Sequence, residues 1–347
     1  MPAVPHLMQA LVMEAHAAPL RLHRVSIPRP QTGQVLVRIA SSGVNPLDVK
    51  IRAGTADHAR HTPAAVLGID LAGIVESVGP GVTGFRPGDE VFGMTGGVGG
   101  HQGSLAEYAA VDAELLAIKP VNLSMRESAA VPLVFITAWE GLVDRANVQA
   151  GQTVLVQGGA GGVGQMVIQI ALARGARPFA VAAQSRRPEI ESLGARFVNR
   201  EEAQGEYVAR LTQGRGFDIV FDTVGGSVLD ASFTAVRRFG HVVSALGWGT
   251  HSLAALSFRA ATYSGIFTLL PLLTDEGRAH HGEILSHAAR LAESGQLIPS
   301  LDPRRFTLST AEDAYRAISD GTARGKLVVE IDAGHPDATT REPRRSQ

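Results

Sequence analysis

The residues with the clearest chemistry form a glycine-rich run, Gly159-Ala160-Gly161-Gly162-Val163-Gly164, which fits the pattern G-x-G-x-x-G. The run follows an apolar segment, residues 153–157, and precedes apolar residues at helical spacing, so the sequence predicts a strand, a turn and a helix. Glycine lets the backbone approach a pyrophosphate closely, and the N-terminus of the helix attracts its negative charge. The pattern favours a dinucleotide site. The alternative is that it only makes a tight turn in a glycine-rich chain.

The end of the next predicted strand, residues 178–182, bears on which dinucleotide would bind. An NAD site usually places Asp or Glu about 20 residues after the glycines, where it binds the ribose hydroxyls. Here the sequence offers no acid and instead gives Ser185, Arg186 and Arg187. A hydroxyl and two guanidinium groups suit a 2′-phosphate, because guanidinium presents paired donors to phosphate oxygens. The sequence therefore predicts NADPH rather than NADH, with the alternative that Arg186 and Arg187 only begin a solvated helix.

The elements that must position these groups follow two patterns along the chain. Residues 8–130 alternate short apolar strands with Gly/Pro turns, which is typical of a barrel or a partly open barrel. Beyond them, predicted strands alternate with helices, which indicates βαβ units and a parallel sheet. These strands lie at 153–157, 178–182, 217–221 and 241–245. A late strand at 327–331 is predicted to return to the N-terminal β-domain.

Composition excludes several classes of protein. The 347-residue chain has 32 Lys+Arg and 33 Asp+Glu, a formal net charge of −1, which argues against a nucleic-acid binder. Its longest candidate apolar segment, residues 266–273, is too short to span a membrane, and we see no signal-peptide pattern. Cysteine is absent, which excludes disulfides and thiolate metal sites and is compatible with a reducing compartment. We therefore expect a cytoplasmic protein that binds neither nucleic acid nor membrane.

Several stretches in fixed order make the sequence resemble the medium-chain dehydrogenase/reductase superfamily, and within it the zinc-independent quinone oxidoreductases (the ζ-crystallin-like group). Each stretch alone is weak evidence for this resemblance, but their order and spacing together are specific to the family. Besides the glycine run they are 42–48, 67–73, 86–91, 130–132, 137–139, 221–226 and 325–328.

The resemblance implies an α/β fold with a GroES-like β-barrel catalytic domain and a Rossmann domain with a doubly wound parallel sheet. The catalytic domain would comprise 1–131 and a return at 271–332, the NADPH-binding domain would comprise 132–270, and 333–347 would be a disordered tail. An active site in the cleft would transfer hydride from NADPH to a quinone or an α,β-unsaturated carbonyl. The family also commonly forms dimers through edge strands of the cofactor-domain sheets, for which residues 264–268 are the candidate.

The resemblance also suggests roles for individual residues. Asn45 would lie near the nicotinamide and donate its amide to the substrate carbonyl, and the alternative is that Asn45-Pro46 only makes a turn. Thr137 resembles the family residue that touches the nicotinamide, and the alternative is a helix-start hydroxyl. The remaining cofactor residues would be Thr223 and Val224 on the adenosine side, Leu246 and Gly247 near the nicotinamide ribose, and Arg200 as a second cation for the 2′-phosphate.

The sequence predicts that this site holds no metal. Zinc-dependent relatives place Cys where this chain has Asn45, and a His-Glu pair where it has Ile69-Asp70, and Asn and Ile are poor zinc ligands. The leading interpretation is a quinone or enone reductase, and two alternative functions remain. One is a zinc-type alcohol dehydrogenase, and the other is an NADPH-binding protein with negligible turnover.

Overall fold

The computed structural model describes residues 6–331, so the predicted tail at 333–347 lies outside the described residues. The chain divides into two compact units. One unit runs to Leu133 and resumes at Leu269, and the other is Val134–Thr268. The described part of the chain has no helix long and apolar enough to cross a membrane.

The first eight strands lie close together along the chain, and strands alternate with helices from residue 153 onward. The strands are β1 Leu7–Met13, β2 Arg21–Ser26, β3 Gln34–Val44, β4 Ala65–Val66, β5 Asp70–Val78, β6 Glu90–Met94, β7 Tyr108–Asp112, β8 Leu116–Ile118, β9 Thr153–Gln157, β10 Arg177–Ala182, β11 Arg196–Asn199, β12 Phe217–Asp222, β13 Val236–Ser244, β14 Thr262–Gly265, β15 Phe306–Thr307 and β16 Leu327–Glu330. The helices are α1 Pro46–Ala53, α2 Met125–Ala129, α3 Pro132–Trp139, α4 Gly162–Ala173, α5 Arg187–Ser192, α6 Gln204–Thr212, α7 Ser227–Ala235, α8 Ala254–Ser257, α9 Leu270–Thr274, α10 Arg278–Glu293 and α11 Ala311–Ser319. A π-helical segment, Glu140–Arg145, follows α3.

The first unit is built on largely antiparallel sheets with a barrel-like core, in which only β15 and β16 of the described strands pair parallel. Its larger sheet has the order β15-β16-β3-β5-β6-β8, with β7 also paired to β3. Val35, Val37 and Ile39 share one face of β3 and are fully buried in one apolar cluster with residues of β5, β6 and β7. Leu36 and Ala40 on the other face are buried too, so burial does not alternate along this strand as the sequence pattern predicted. The late strand β16 pairs antiparallel with β3, Val328 opposite Gly43, so the chain's last described strand completes the N-terminal sheet.

The second unit is a doubly wound α/β domain. Its six strands are all parallel, in the order β11-β10-β9-β12-β13-β14. Counted from β9, this is the order 3-2-1-4-5-6 of dinucleotide-binding folds. Val154, Leu155 and Val156 on β9 are fully buried, as a central strand covered on both faces requires. The order reverses between β9 and β12, and ligands bind at such switch points beyond the carboxyl ends of the strands.

The predicted edge segment, residues 264–268, is placed differently in the structure. The edge strand β14 is Thr262–Gly265, so it begins earlier and ends before Ile266. The reason is the length of its partner: β13 ends at Ser244, whose carbonyl accepts the last bond of the pair, from the Ile266 N–H.

Candidate functional site

The glycine run forms the turn between β9 and α4. Gly158 has a left-handed φ of 74°, and Gly161 caps the helix that begins at Gly162. A Cβ on Gly164 would lie 2.4 Å from the Gly158 carbonyl oxygen, and one on Gly159 would lie 2.6 Å from the Cβ of Ala180. These two glycines are required by packing within the protein itself.

The other face of the turn is open to a ligand. Gly161 is exposed, Gly162 and Val163 are half-buried, and the helix has no side-chain cap on its first N–H groups. The nearest atom to a Cβ on Gly161 is the Gly158 carbonyl oxygen at 3.3 Å, so packing alone tolerates a larger residue here far better than at Gly164. The turn therefore fits a pyrophosphate at the helix N-terminus, with Gly161 as the position of close backbone approach.

Arg186 lies beside this turn at the end of β10. One guanidinium nitrogen is 3.5 Å from the carbonyl oxygen of Ala160, and another is 2.6 Å from the Glu189 carboxylate. Gln165 donates to the same two groups, at 3.2 Å and 2.6 Å. Arg186 is thus fixed next to the glycine turn, but with a carboxylate partner that the sequence analysis missed. The i,i+3 spacing of Arg186 and Glu189 on a helix start was the available signal.

The other predicted groups for the 2′-phosphate lie around the same strand end. Ser185 is exposed in a short turn after β10. Arg187 begins α5, as the alternative interpretation expected, and it pairs with Glu191 at 2.8 Å. Arg200 is exposed, and its backbone N–H donates to Ala182 at the end of β10. Its side chain pairs with Glu201 at 2.9 Å. Arg187 and Arg200 are thus both exposed, and each is paired with a neighbouring carboxylate.

The loops after β12 and β13 carry the four remaining predicted cofactor residues of this unit. Thr223 directs its hydroxyl to the carbonyl of Gln157 at 2.7 Å, whereas the side chain of Val224 is 48% exposed. Leu246 is half-buried and Gly247 exposed on the next loop. A Cβ on Gly247 would lie 2.1 Å from the Tyr263 hydroxyl, so a larger residue here would require the Tyr263 side chain to move. The structure therefore brings the ends of β9, β12 and β13 together, as a dinucleotide site requires.

Thr137 lies within α3 rather than at its start, in a chain of hydroxyl groups. Its Oγ1 is 3.0 Å from Thr268 Oγ1, and Thr268 donates to the Glu140 carboxylate at 3.0 Å. Thr137 and Thr268 are both buried. The sequence analysis missed Thr268, because only the fold brings a residue 131 positions away into contact with Thr137. It also missed Glu140, which joins this group through its bond from Thr268.

Asn45 lies in the first unit, where it caps α1 and Pro46 is the first residue of the helix. Its side chain is 1% exposed. The Nδ2 group donates to Asp70 at 2.9 Å, and Oδ1 accepts from the Lys326 ammonium at 2.5 Å. A carboxylate on one side and an ammonium on the other fix the orientation of the amide. The turn-forming interpretation of Asn45 is therefore part of the structure, and its side chain is also held by two charged groups.

A second carboxylate, Asp48, completes this buried cluster. It accepts the backbone N–H of Asn45 at 2.8 Å, while its other oxygen has no hydrogen-bond partner. Burial raises the pKa of Asp48 to about 7, and the negative charge of Asp70 adds to this effect. Burial also raises the pKa of Asp70, against the opposing attraction of Lys326, and lowers the pKa of Lys326. One ammonium thus faces two carboxylates, so a proton on Asp48 would balance the charge.

Comparison with known proteins shows which family this chain belongs to. The model of the alcohol dehydrogenase GroES-like domain matches residues 31–121, and the model described as zinc-binding dehydrogenase matches residues 193–329. A 2-methylene-furan-3-one reductase of Solanum lycopersicum is 34% identical over 318 residues, which are 88% of this chain and 74% of that protein. The chain belongs to the medium-chain dehydrogenase/reductase superfamily, in its quinone-oxidoreductase-like group. This membership places it among NAD(P)H-dependent oxidoreductases.

Solved structures and longer proteins extend the comparison. An alcohol dehydrogenase superfamily protein from Novosphingobium aromaticivorans is 56% identical with a TM-score of 0.92, covering 94% of this chain and 100% of that one. The spectinabilin polyketide synthase system protein NorB of Streptomyces orinoci is 34% identical over 298 residues, 86% of this chain. This chain spans only 13% of NorB, so the activity of such a large protein is not carried over.

The residues of this chain do not fit the zinc that the second family description implies. The described residues contain no group of three or more His, Cys, Asp or Glu side chains placed to hold a metal. At the positions where zinc-dependent relatives keep ligands, Asn45 and Asp70 instead face the Lys326 ammonium, 3.7 Å from the Asp70 carboxylate. The Lys326 ammonium beside these oxygens would repel a zinc ion.

Proposed function

We propose that this protein reduces a quinone or an α,β-unsaturated carbonyl compound with NADPH and without a metal. The observation that carries the proposal is the open glycine turn at the start of α4 with Arg186 beside it, 3.5 Å from Ala160. This arrangement supports NADPH, which carries a 2′-phosphate, rather than NADH, which does not. The acceptor class is supported by similarity to the tomato 2-methylene-furan-3-one reductase and by the CurK enoyl reductase, 26% identical with a TM-score of 0.82.

The chain's own residues would bind and orient the reactants. When bound, NADPH supplies the hydride. The glycine turn would hold the pyrophosphate, Arg186 with Ser185 and Arg200 would hold the 2′-phosphate, and Thr137 would contact the nicotinamide. Asn45 would donate the amide hydrogen that it does not give to Asp70, and thereby polarise the substrate carbonyl. Solvent would supply the proton that completes the reduction.

The first test is NADPH consumption by the purified protein with phenanthrenequinone, benzoquinone and a short enone, with NADH measured in parallel. Turnover with NADPH well above NADH supports the proposal. Tight NADPH binding without turnover on any acceptor would favour a non-catalytic cofactor-binding protein. Activity that requires stoichiometric zinc would favour a zinc-type alcohol dehydrogenase.

A variant tests the assignment of Arg186. Arg186→Met removes the guanidinium beside the glycine turn, so the KM for NADPH should rise about tenfold while the KM for NADH changes little, because a charge-assisted bond is lost only with the phosphorylated cofactor. Arg210→Met is the matched control, since Arg210 forms an exposed ion pair with Glu202 in the same unit. Equal losses with both cofactors would show that Arg186 is structural.

We also propose a homodimer formed through the sheet edge of the second unit, where β14 ends the strand order. Exposed edges require a partner or protection.

A further inference from the structure

Two buried residues end neighbouring strands of the second unit. Asp222 is the last residue of β12 and Ser244 the last residue of β13, and they lie opposite each other in the sheet. Both are fully buried. On its other side Asp222 lies opposite Gln157, the last residue of β9. The pair is therefore at the carboxyl edge of the sheet, next to the point where the strand order reverses.

The Asp222 carboxylate organises the loop that follows β12. Oδ1 accepts the backbone N–H groups of Val224 and Gly225, each at 3.0 Å. Oδ2 accepts Gly225 N–H again at 3.1 Å and the Ser244 hydroxyl at 2.7 Å. All of these partners are donors, which a carboxylate can satisfy because it only accepts hydrogen bonds when ionised. The bonds offset the cost of burying the charge.

Ser244 carries the connection to the loop after β13. Its hydroxyl donates to Asp222 and accepts the backbone N–H of Leu246 at 3.1 Å. The two loops also touch directly, because a Cβ on Gly225 would lie 2.6 Å from the Leu246 carbonyl oxygen. Asp222 and Ser244 together thus fix the backbone at Val224 and at Leu246.

We infer that Asp222, acting through Ser244, is a positioning residue that holds the loops after β12 and β13 in the shape that binds the cofactor. The inference rests on the proposed use of NADPH. Neither side chain needs to touch the cofactor, since both are buried under the loops whose backbone they bond. The sequence analysis assigned roles to the loop residues but none to Asp222 or Ser244.

The hydrogen bond from the Ser244 hydroxyl to the Asp222 carboxylate can be removed by a conservative substitution at either residue. Ser244→Ala deletes the hydroxyl and leaves the backbone bonds of Asp222 intact. Asp222→Asn keeps one oxygen for Val224 and Gly225 but presents an amide NH₂ to Ser244, so the Ser244 hydroxyl loses the carboxylate oxygen to which it donates. Each variant should weaken NADPH binding by full-length protein about tenfold, the effect of losing one well-placed hydrogen bond.

The double variant and a control make the test specific. Because both substitutions break one link, the double variant should bind NADPH about as weakly as either single variant, whereas independent effects would multiply. Ser232→Ala is the matched control, since Ser232 is equally buried in the same unit but bonds only to Val228 of its own helix. It should bind NADPH like the unmodified protein.

The measurements are fluorescence titration with NADPH, thermal unfolding and steady-state kinetics. The inference predicts a raised Kd and a raised KM for NADPH, with kcat at saturating NADPH within about twofold, as for loss of binding shared by the ground and transition states. Unchanged Kd in Ser244→Ala, multiplied losses in the double variant, or an equal loss in Ser232→Ala would each overturn it. Failure of the unmodified protein to bind NADPH would instead overturn the proposed function and, with it, the inference.

Discussion

Lys326 places an ammonium group between the side-chain oxygen of Asn45 and the carboxylate of Asp70, where all three side chains are buried. The cost of burying these charges is offset by their attraction and by the hydrogen bonds that each makes. The Lys326 ammonium also donates to the Val44 carbonyl at 3.2 Å. The Lys326 ammonium and the Asp70 carboxylate together fix the orientation of the Asn45 amide.

Removing the Lys326 ammonium should lower the stability of the fold unless the Asp70 carboxylate is neutralised as well. Lys326→Met leaves the Asp70 carboxylate buried without its ammonium, so the free energy of unfolding should fall by about 3–5 kcal/mol. Lys326→Met combined with Asp70→Asn should recover part of that loss. Urea unfolding of the single and double variants measures this coupling, and strictly additive losses would contradict the ion pair.

The raised pKa of Asp48 predicts a pH dependence of stability. Its pKa is about 7 in the folded protein against 3.8 as the ordinary value, so the folded state holds a proton that the unfolded state loses. Stability from this group is therefore present at low pH and declines as the pH rises toward 7. Asp70 and Lys326 are the charged groups that face it most strongly.

Asp48→Asn isolates this effect because an amide does not titrate in this range. Between about pH 5 and pH 8, the free energy of unfolding of the unmodified protein should fall by about 2 kcal/mol relative to that of the variant. Denaturant unfolding across this range is the measurement. Parallel pH profiles would show that Asp48 is ionised throughout.

At the scale of elements, the β9–α4 turn uses its glycines for two purposes. Gly164 lets α4 pack against the Gly158 carbonyl, and Gly161 keeps the helix N-terminus accessible. Both residues match the same sequence pattern. Only the atoms that surround each one in the structure show which glycine is needed for packing and which faces a ligand.

Substituting alanine for Gly164 and for Gly161, one at a time, should distinguish the effect on packing from the effect on cofactor binding. Gly164→Ala forces a Cβ to 2.4 Å from a backbone oxygen, so it should destabilise the protein by about 1–3 kcal/mol. Gly161→Ala meets its nearest atom only at 3.3 Å and should keep nearly normal thermal stability while weakening NADPH binding. Thermal unfolding and NADPH titration of both variants test this, and a stable, normally binding Gly161→Ala would reject a phosphate at this turn.

At the scale of the whole molecule, one chain builds two units, and the first is completed only when β16 returns to β3. The second unit ends its sheet at β14, where Ile266 N–H bonds inward to Ser244. Because N–H groups alternate along a strand, that of Gly265 points away from β13. This group is available for pairing with a second copy.

The proposed homodimer can be tested at that position. Gly265→Pro removes the outward N–H and leaves the inward bond of Ile266 in place, so it should shift the protein from dimer toward monomer. Light scattering coupled to size-exclusion chromatography measures the mass, with NADPH binding as a check on folding. A monomeric unmodified protein, or an undisturbed dimer of the variant, would count against pairing through this edge.

The sequence by itself determined the class of the fold and the place of the glycine turn, because strand alternation, helical spacing and glycine conformation are properties of neighbouring residues. It also determined that Ser185, Arg186 and Arg187 follow the second strand of the sheet. Only the tertiary structure decided which groups these residues face. Asn45 meets Asp70 and Lys326 across 25 and 281 positions. Asp222 meets Ser244 through strand pairing. Such partners depend on how separate elements pack, and local sequence patterns carry no record of that packing.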